Sequence, residues 1–253
     1  MSHANARLRG ISAGATHRGK VRQVNEDAYL DRPERGLWAV ADGMGGHTAG
    51  DLASRMIVQA LETAPQHRFP GRTVASLRAC LSDVNRRLCA EAQKRGATAI
   101  GSTLAAVSAA GEQCVLLWVG DSRIYRLRNG ALHRLSHDHS QVQALVDQGL
   151  LAPDAMEAHP AAHVVTRAVG AGELLEVDGQ LCALKSHDRF LLCTDGLTKE
   201  VPESDIAELL ARTALNAAPQ ALIDETCDRG ARDNVTAVVI DFLPSEVIQG
   251  ERV

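Results

Sequence analysis

Apolar residues recur along this chain with two periods, one of short strand-like runs and one of helical faces. Strand-like runs lie at 11–15, 28–30 and 37–42, the last reading Leu37-Trp38-Ala39-Val40-Ala41-Asp42 before Gly43. Residues 48–63 instead set Leu52, Ala53, Met56, Ile57, Ala60 and Leu61 at helical spacing, which predicts a one-faced surface helix. A loop over 65–72 and a second helix over 73–95 follow, the helix with Leu77, Leu81, Val84 and Leu88 on one face and Gly96 as its stop. From Ser102 the pattern turns to β-type runs at 103–109, 114–119, 123–127 and 131–135, divided by Gly111, Gly120 and Asn129-Gly130. Asn-Gly between two such runs predicts a hairpin, and all four runs are expected to be antiparallel neighbours. Val142, Leu145, Val146 and Leu150 mark a short amphipathic helix, and the polar stretch after it, through Pro160, could serve as a mobile flap. Strand-like runs at 176–184 and 189–193, helices at 203–213 and 219–229 and a strand at 235–240 complete the pattern. Residues 1–10 read as polar and frayed and 244–253 as a polar tail, with neither repeats nor low-complexity segments.

Composition narrows this picture. The 253 residues suffice for one large domain or two small ones, and no linker decides for two. Aromatic residues make up only 3%, so packing must rest on Val, Leu, Ile and Ala. A net charge of −4 lacks the basic excess of nucleic-acid or anionic-membrane binding, and those partners are set aside. No signal-peptide pattern and no run of membrane-spanning length occurs, so a cytoplasmic protein is expected. Cys80, Cys89, Cys114, Cys182, Cys193 and Cys227 show no close pairing, which favours reduced, packed thiols over disulfides or zinc ligands.

The candidate chemistry sits where apolar runs end in acids. Asp42-Gly43 and Asp195-Gly196 each close such a run, Asp121 stands between two runs in Gly120-Asp121-Ser122, and Asp233-Asn234 opens the last one. Each is by itself a plain turn signal, and the repetition sets a metal reading level with the turn reading. Carboxylates at strand ends without His or Cys at ligand spacing suit hard cations such as Mg²⁺ or Mn²⁺ rather than zinc. Two ions sharing one Asp can hold a hydroxide that attacks phosphorus in line. Arg22, five residues before Asp27, is the candidate to clamp phosphate oxygens, with Arg18 and Lys20 lesser ones.

This set resembles the metal-dependent Ser/Thr protein phosphatases of the PPM, or protein phosphatase 2C, family in its bacterial form. The matching stretches are Arg22-Gln-Val-Asn-Glu26-Asp27, Asp42-Gly43-Met44-Gly45-Gly46-His47, Gly101-Ser102-Thr103, Gly120-Asp121-Ser122-Arg123, 166–170, Asp195-Gly196 and Asp233-Asn234, in the family's order and across nearly the whole chain. The resemblance implies an α+β fold of four layers, α-β-β-α: a central antiparallel β-sandwich flanked by helices, as a single domain over 1–243 with a tail at 244–253. It further implies that Asp42 bridges two Mn²⁺ or Mg²⁺ ions, that Asp195 and Asp233 complete the first, and that the Gly43 carbonyl serves the second. Asp121 with Asp195 would hold a weaker third ion. Glu26, Asp27 and Asn234 would stand behind the ligands, with Glu26 and Asp27 ordering bound water, while Arg22 binds phosphate and 151–163 forms the family's variable flap.

Two positions depart from the family pattern. Met44 stands where animal members carry a His thought to protonate the leaving alkoxide; His47 nearby or a bound water could replace it. His17 stands where bacterial members usually have Asp, with little effect expected. The implied activity is hydrolysis of phosphoserine and phosphothreonine on proteins in signalling, opposite a Ser/Thr kinase, by a monomer. The alternatives are a phosphatase for small phosphoesters and a catalytically weak interaction module on the same fold.

Overall fold

The computed structural model describes residues 8–45, 49–67 and 70–245. Within them the strands are β1 (Leu8–His17), β2 (Asp27–Arg32), β3 (Leu37–Met44), β4 (Gly101–Ser102), β5 (Leu104–Ala110), β6 (Gln113–Val119), β7 (Arg123–Arg128), β8 (Ala131–Arg134), β9 (Asp178–Ala183), β10 (Asp188–Cys193) and β11 (Val235–Pro244). The helices are α1 (Ala49–Thr63), α2 (Pro70–Arg95), α3 (Gln141–Asp147), α4 (Asp195–Thr198), α5 (Glu203–Arg212) and α6 (Ala218–Asp228). One antiparallel sheet runs β1-β11-β10-β7-β8 and the other β2-β3-β5-β6-β9, with β4 pairing to the end of β3.

Side-chain alternation along the strands explains how these sheets stack. In β3, Leu37, Ala39 and Ala41 point to a cluster shared with α1 and α2, while Trp38 and Val40 point into the space between the sheets. In β11, Val238, Ile240 and Phe242 enter that same space, and Val235, Ala237 and Val239 pack under α4, α5 and α6. Both faces of the central strands are therefore buried, which is why 235–240 reads as an unbroken apolar run rather than an alternating one. The expected four layers, α-β-β-α, are what form. The few aromatic residues are concentrated in the middle: Trp38 and Phe190 each meet Phe242 edge to face, at centroid distances of 5.8 and 5.4 Å. Such pairs contribute about 0.5–1.5 kcal/mol each beyond the area they bury.

Four expectations are revised. Residues 8–10, read as part of a frayed start, belong to β1 and pair with β11. The runs of β6 and β7 are not neighbours. β6 pairs with β5 and β9, while β7 pairs with β10 and β8, so neither keeps a free edge for the other. The chain crosses between the sheets through Gly120-Asp121-Ser122, which puts Asp121 at the rim of the sandwich. The hairpin at Asn129-Gly130 does form, with φ of 52° and 78°. α2 starts at Pro70, inside the expected loop, because proline lacks only an N–H that the first helical turn leaves unpaired anyway. The expected tail begins inside β11, which runs to Pro244, and its remainder from 246 lies outside the described residues. All six cysteines are free. Among the described residues, no helix is long and apolar enough to cross a membrane.

Candidate active site

Strand ends from both sheets meet at one edge of the sandwich around a cleft of about 1140 Å³. Arg22, Glu26, Asp42, Gly43, Asp121 and Asp195 border it, and Asp233 and Asn234 close it from the turn before β11. Each acid reaches the cleft by a distinct local device. Asp42 sits near the end of β3, where its N–H donates to Thr103 Oγ1 (3.0 Å) and its carbonyl accepts from Thr103 N–H (2.9 Å). Thr103 Oγ1 also shares a hydrogen bond with Ser122 Oγ (2.7 Å), tying the strand of Asp42 to the crossover that carries Asp121. Asp195 opens α4 directly after β10.

Two glycines allow the close approach. A Cβ on Gly43 would stand 2.0 Å from the Gly50 carbonyl oxygen, and one on Gly196 would stand 1.9 Å from that of Asn234. Only glycine lets α1 and the Asp233-Asn234 turn press this near.

Asn234 acts as a staple rather than a ligand. Its Oδ1 accepts from Glu26 N–H (2.8 Å), and its Nδ2 donates to the carbonyls of Arg18 (2.8 Å) and Val24 (2.9 Å). The loop bearing Arg22 is thereby held against Asp233, and Arg22 Nη2 meets Asp233 Oδ2 at 3.0 Å. Asp27 lies behind Asp42; its Oδ2 accepts from Thr194 Oγ1 (2.8 Å) and Thr236 Oγ1 (2.7 Å). Thr194, Thr236 and Lys199, which pairs with Asp195 Oδ2, escaped the sequence reading, and Thr103 and Ser122 stand there within matching stretches without a role of their own. Thr194 and Lys199 flank Asp195-Gly196 and Thr236 follows Asn234 by two, but a hydroxyl or ammonium beside an acid carries no signal until its partner is known.

The electrostatics are those of acids brought together without enough countercharge. Burial, then the charges of Asp27 and Asp195, pushes Asp42 well above the usual carboxylate range. Burial likewise raises Asp27 to about 7 against the hydroxyl bonds from Thr236 and Thr194. Asp121 also rises to about 7, by burial and the nearby Asp195, partly offset by Lys199. Buried carboxylate oxygens of Glu26 (Oε1), Asp27 (Oδ1) and Asp195 (Oδ1) have no hydrogen-bond partner. Oxygens orphaned in this way, in an all-oxygen donor set, fit a hard divalent cation. As they stand, no three acidic, His or Cys side chains among the described residues form a ready group for an ion. Two of the acids are held in ion pairs: Lys199 holds one oxygen of Asp195 and Arg22 one of Asp233.

Of the expected site residues, Arg22, Glu26, Asp27, Asp42, Gly43, Asp121, Asp195, Asp233 and Asn234 come together here. Arg18 and Lys20 do not border the cleft, and the Arg18 guanidinium instead donates to the Gln23 carbonyl. His17 turns away, its Nδ1 accepting from Gly19 N–H (3.0 Å). His47 lies outside the described residues. Met156, Ala162 and His163 of the expected flap region line the cleft, and the Gln141 N–H donates to the Val164 carbonyl at 2.9 Å.

Sequence and fold are similar to those of known proteins. A sequence profile described as Protein phosphatase 2C matches residues 13–229. Serine/threonine phosphatase stp of Listeria monocytogenes is 34% identical over 235 residues, 89% of this chain and 93% of that protein. The solved structure of PppA, a key regulatory component of T6SS in Pseudomonas aeruginosa, is 44% identical over 93% of this chain and 100% of that one, with a TM-score of 0.87. The catalytic domain of the serine/threonine protein phosphatase PstP, solved with two manganese ions, matches at 34% identity over 93% and 99%, with a TM-score of 0.83. Sequence, fold and acidic cleft agree, and the chain belongs to the protein phosphatase 2C family of metal-dependent serine/threonine protein phosphatases.

Proposed function

We propose that this cleft dephosphorylates serine and threonine side chains of proteins, and that Asp42 is the acid that would be shared by two Mn²⁺ or Mg²⁺ ions. Asp195 and Asp233 would help hold the first of these ions and the Gly43 carbonyl the second. The ions supply Lewis acidity and an activated water. The observation that carries the reading is the convergence of Asp42, Asp121, Asp195 and Asp233 on one cleft, with buried carboxylate oxygens left unpartnered.

The chain's own residues divide the remaining work. Arg22 is half exposed, so its ion pair with Asp233 is weak, and its guanidinium is free to turn to phosphate oxygens once Asp233 is engaged elsewhere. Glu26 and Asp27, with an unpartnered oxygen each, would be placed to orient water beside a bound ion. His47 or water protonates the leaving alkoxide. A third, weaker cationic position lies with Asp121 and Asp195.

A cleft of about 1140 Å³ with the flap region at its mouth suits a side chain presented on a protein better than a small phosphoester. The cell would pair such an enzyme with a Ser/Thr kinase, in the cytoplasm, and a monomer suffices because one chain supplies every group. Hydrolysis of a phosphothreonine peptide and of p-nitrophenyl phosphate, with Mn²⁺, with Mg²⁺ and with chelator, tests the reading. Peptide turnover that needs the metal is expected. Full activity in chelator refutes it, and turnover of the small ester alone favours the second substrate class.

A further inference from the structure

The acidic cleft carries a cation of its own. Lys199 follows Asp195 by four residues around α4, its N–H donates to the Asp195 carbonyl at 2.9 Å, and its Nζ pairs with Asp195 Oδ2. Held by backbone and side chain, it is 28% exposed, against 52% for Arg22 on its loop. Lys199 borders the cleft together with Asp121 and Asp195, and both acids bear electrostatically on it. The other oxygen of Asp195, Oδ1, is buried without a hydrogen-bond partner.

We infer that the Lys199 ammonium is the resident cation of the position between Asp121 and Asp195, so that a side chain fills the place where a weak third metal ion was expected. This rests on the reading that Asp42, Asp195 and Asp233 hold the metal ions. Charge balance supports it. Arg123 with Asp138 and Arg232 with Glu200 are pairs that cancel. Apart from the exposed Glu157 of the flap region, what remains sets the carboxylates of Glu26, Asp27, Asp42, Asp121, Asp195 and Asp233 against Arg22 and Lys199. Two divalent ions neutralise that surplus. A third must displace the ammonium from Asp195 or add uncompensated positive charge to a largely buried site, and low dielectric penalises both. Asp195 then divides its oxygens, Oδ1 remaining free for a tight ion while Oδ2 keeps Lys199. A tethered ammonium cannot diffuse away, so activation by metal follows only the two tight ions.

The test counts bound Mn²⁺ by calorimetry and by loss of the free-ion paramagnetic signal, with metal-free melting alongside. Wild type should take up two equivalents. Lys199→Met, which keeps the stem and removes the charge, should take up a third, roughly tenfold or more weaker than the others. Its metal-free form should melt lower, because Asp121 and Asp195 lose their counter-charge. Lys199→Arg should stay at two, and adding Asp121→Asn to Lys199→Met should return the count to two. If Lys199→Met does not fold, Asp121→Asn in the otherwise native chain decides: two equivalents at unchanged affinity support the inference, and loss of an equivalent overturns it. Three equivalents in wild type, or only two in folded Lys199→Met, also overturn it. A wild type that binds no Mn²⁺ defeats the metal assignment itself, a distinguishable result.

Discussion

Asp27 and Asp42 stand directly opposite each other across the β2–β3 ladder, a buried and a half-buried carboxylate at one end of the sheet. Like charges so placed repel, and burial adds the cost of desolvating both. The metal-free protein should therefore be least comfortable when they ionise. Asp27 rises from 3.8 to about 7 on folding. A raised carboxyl binds its proton more tightly in the folded state, so its contribution is fully present below pH 4 and is lost as pH climbs to about 7. In chelator, wild type should lose melting temperature relative to Asp27→Asn between pH 5 and pH 8. A constant difference between the two across that range would contradict the burial of this charge.

The same raised groups make metal and protons competitors. Asp121, raised to about 7, and Asp42, raised well above the usual carboxylate range, both bind protons more tightly in the metal-free protein, and a cation must compete with those protons. Mn²⁺ affinity should thus rise between pH 6 and pH 8, with net proton release at pH 6. Calorimetry in two buffers of different ionisation enthalpy measures that release, and identical heats in both would exclude it.

Arg22 should act on substrate rather than on metal. Arg22→Ala is expected to raise KM about tenfold or more, the scale of a charged hydrogen bond lost, without weakening Mn²⁺ binding, since Asp233 merely loses a competitor. Arg22→Lys should recover only part, because an ammonium cannot grip two phosphate oxygens as a planar fork does. Unchanged kinetics in Arg22→Ala would remove it from the site.

Asp195 tests whether the acids are kept for function. Its charge bears on Asp27, Asp42 and Asp121, so Asp195→Asn relieves several repulsions while giving up the Lys199 pair. The metal-free variant should melt no lower than wild type, within a gain of about 1 kcal/mol or less. Saturating Mn²⁺ should reverse the order, since wild type alone then gains the full binding energy. An offset independent of metal would mean that Asp195 only shapes its turn.

Backbone proximity gives a structural control. Gly43→Ala places a methyl 2.0 Å from the Gly50 carbonyl oxygen and should cost more than about 2 kcal/mol, with loss of tight metal binding. Gly71→Ala, in α2 with nothing within 4 Å, should instead gain about 0.5–1 kcal/mol. Chemical denaturation of both variants checks the contrast, and equal effects would rule out the close packing at Gly43.

The chain by itself determined the apolar runs, the acids at their ends, the hairpin at Asn129-Gly130 and the order of motifs that pointed to the fold. These are local or ordered along the chain, so periodicity, turn chemistry and motif order expose them. Only the tertiary structure decided which sheet takes each strand. The runs of β6 and β7 look alike, and their separation depends on edges already filled by β5 and β9, and by β10 and β8. Tertiary structure also chose the partners that shape the acids. Asp27 meets its hydroxyl donors 167 and 209 residues away, and Arg22 meets Asp233 across 211. Lys199 lies only four residues from Asp195, yet it reads as an ordinary helical ion pair until the fold sets Asp121 across the same cleft. The charge of a side chain is written in the sequence, whereas the energy of that charge depends on burial and on neighbours that only folding brings together.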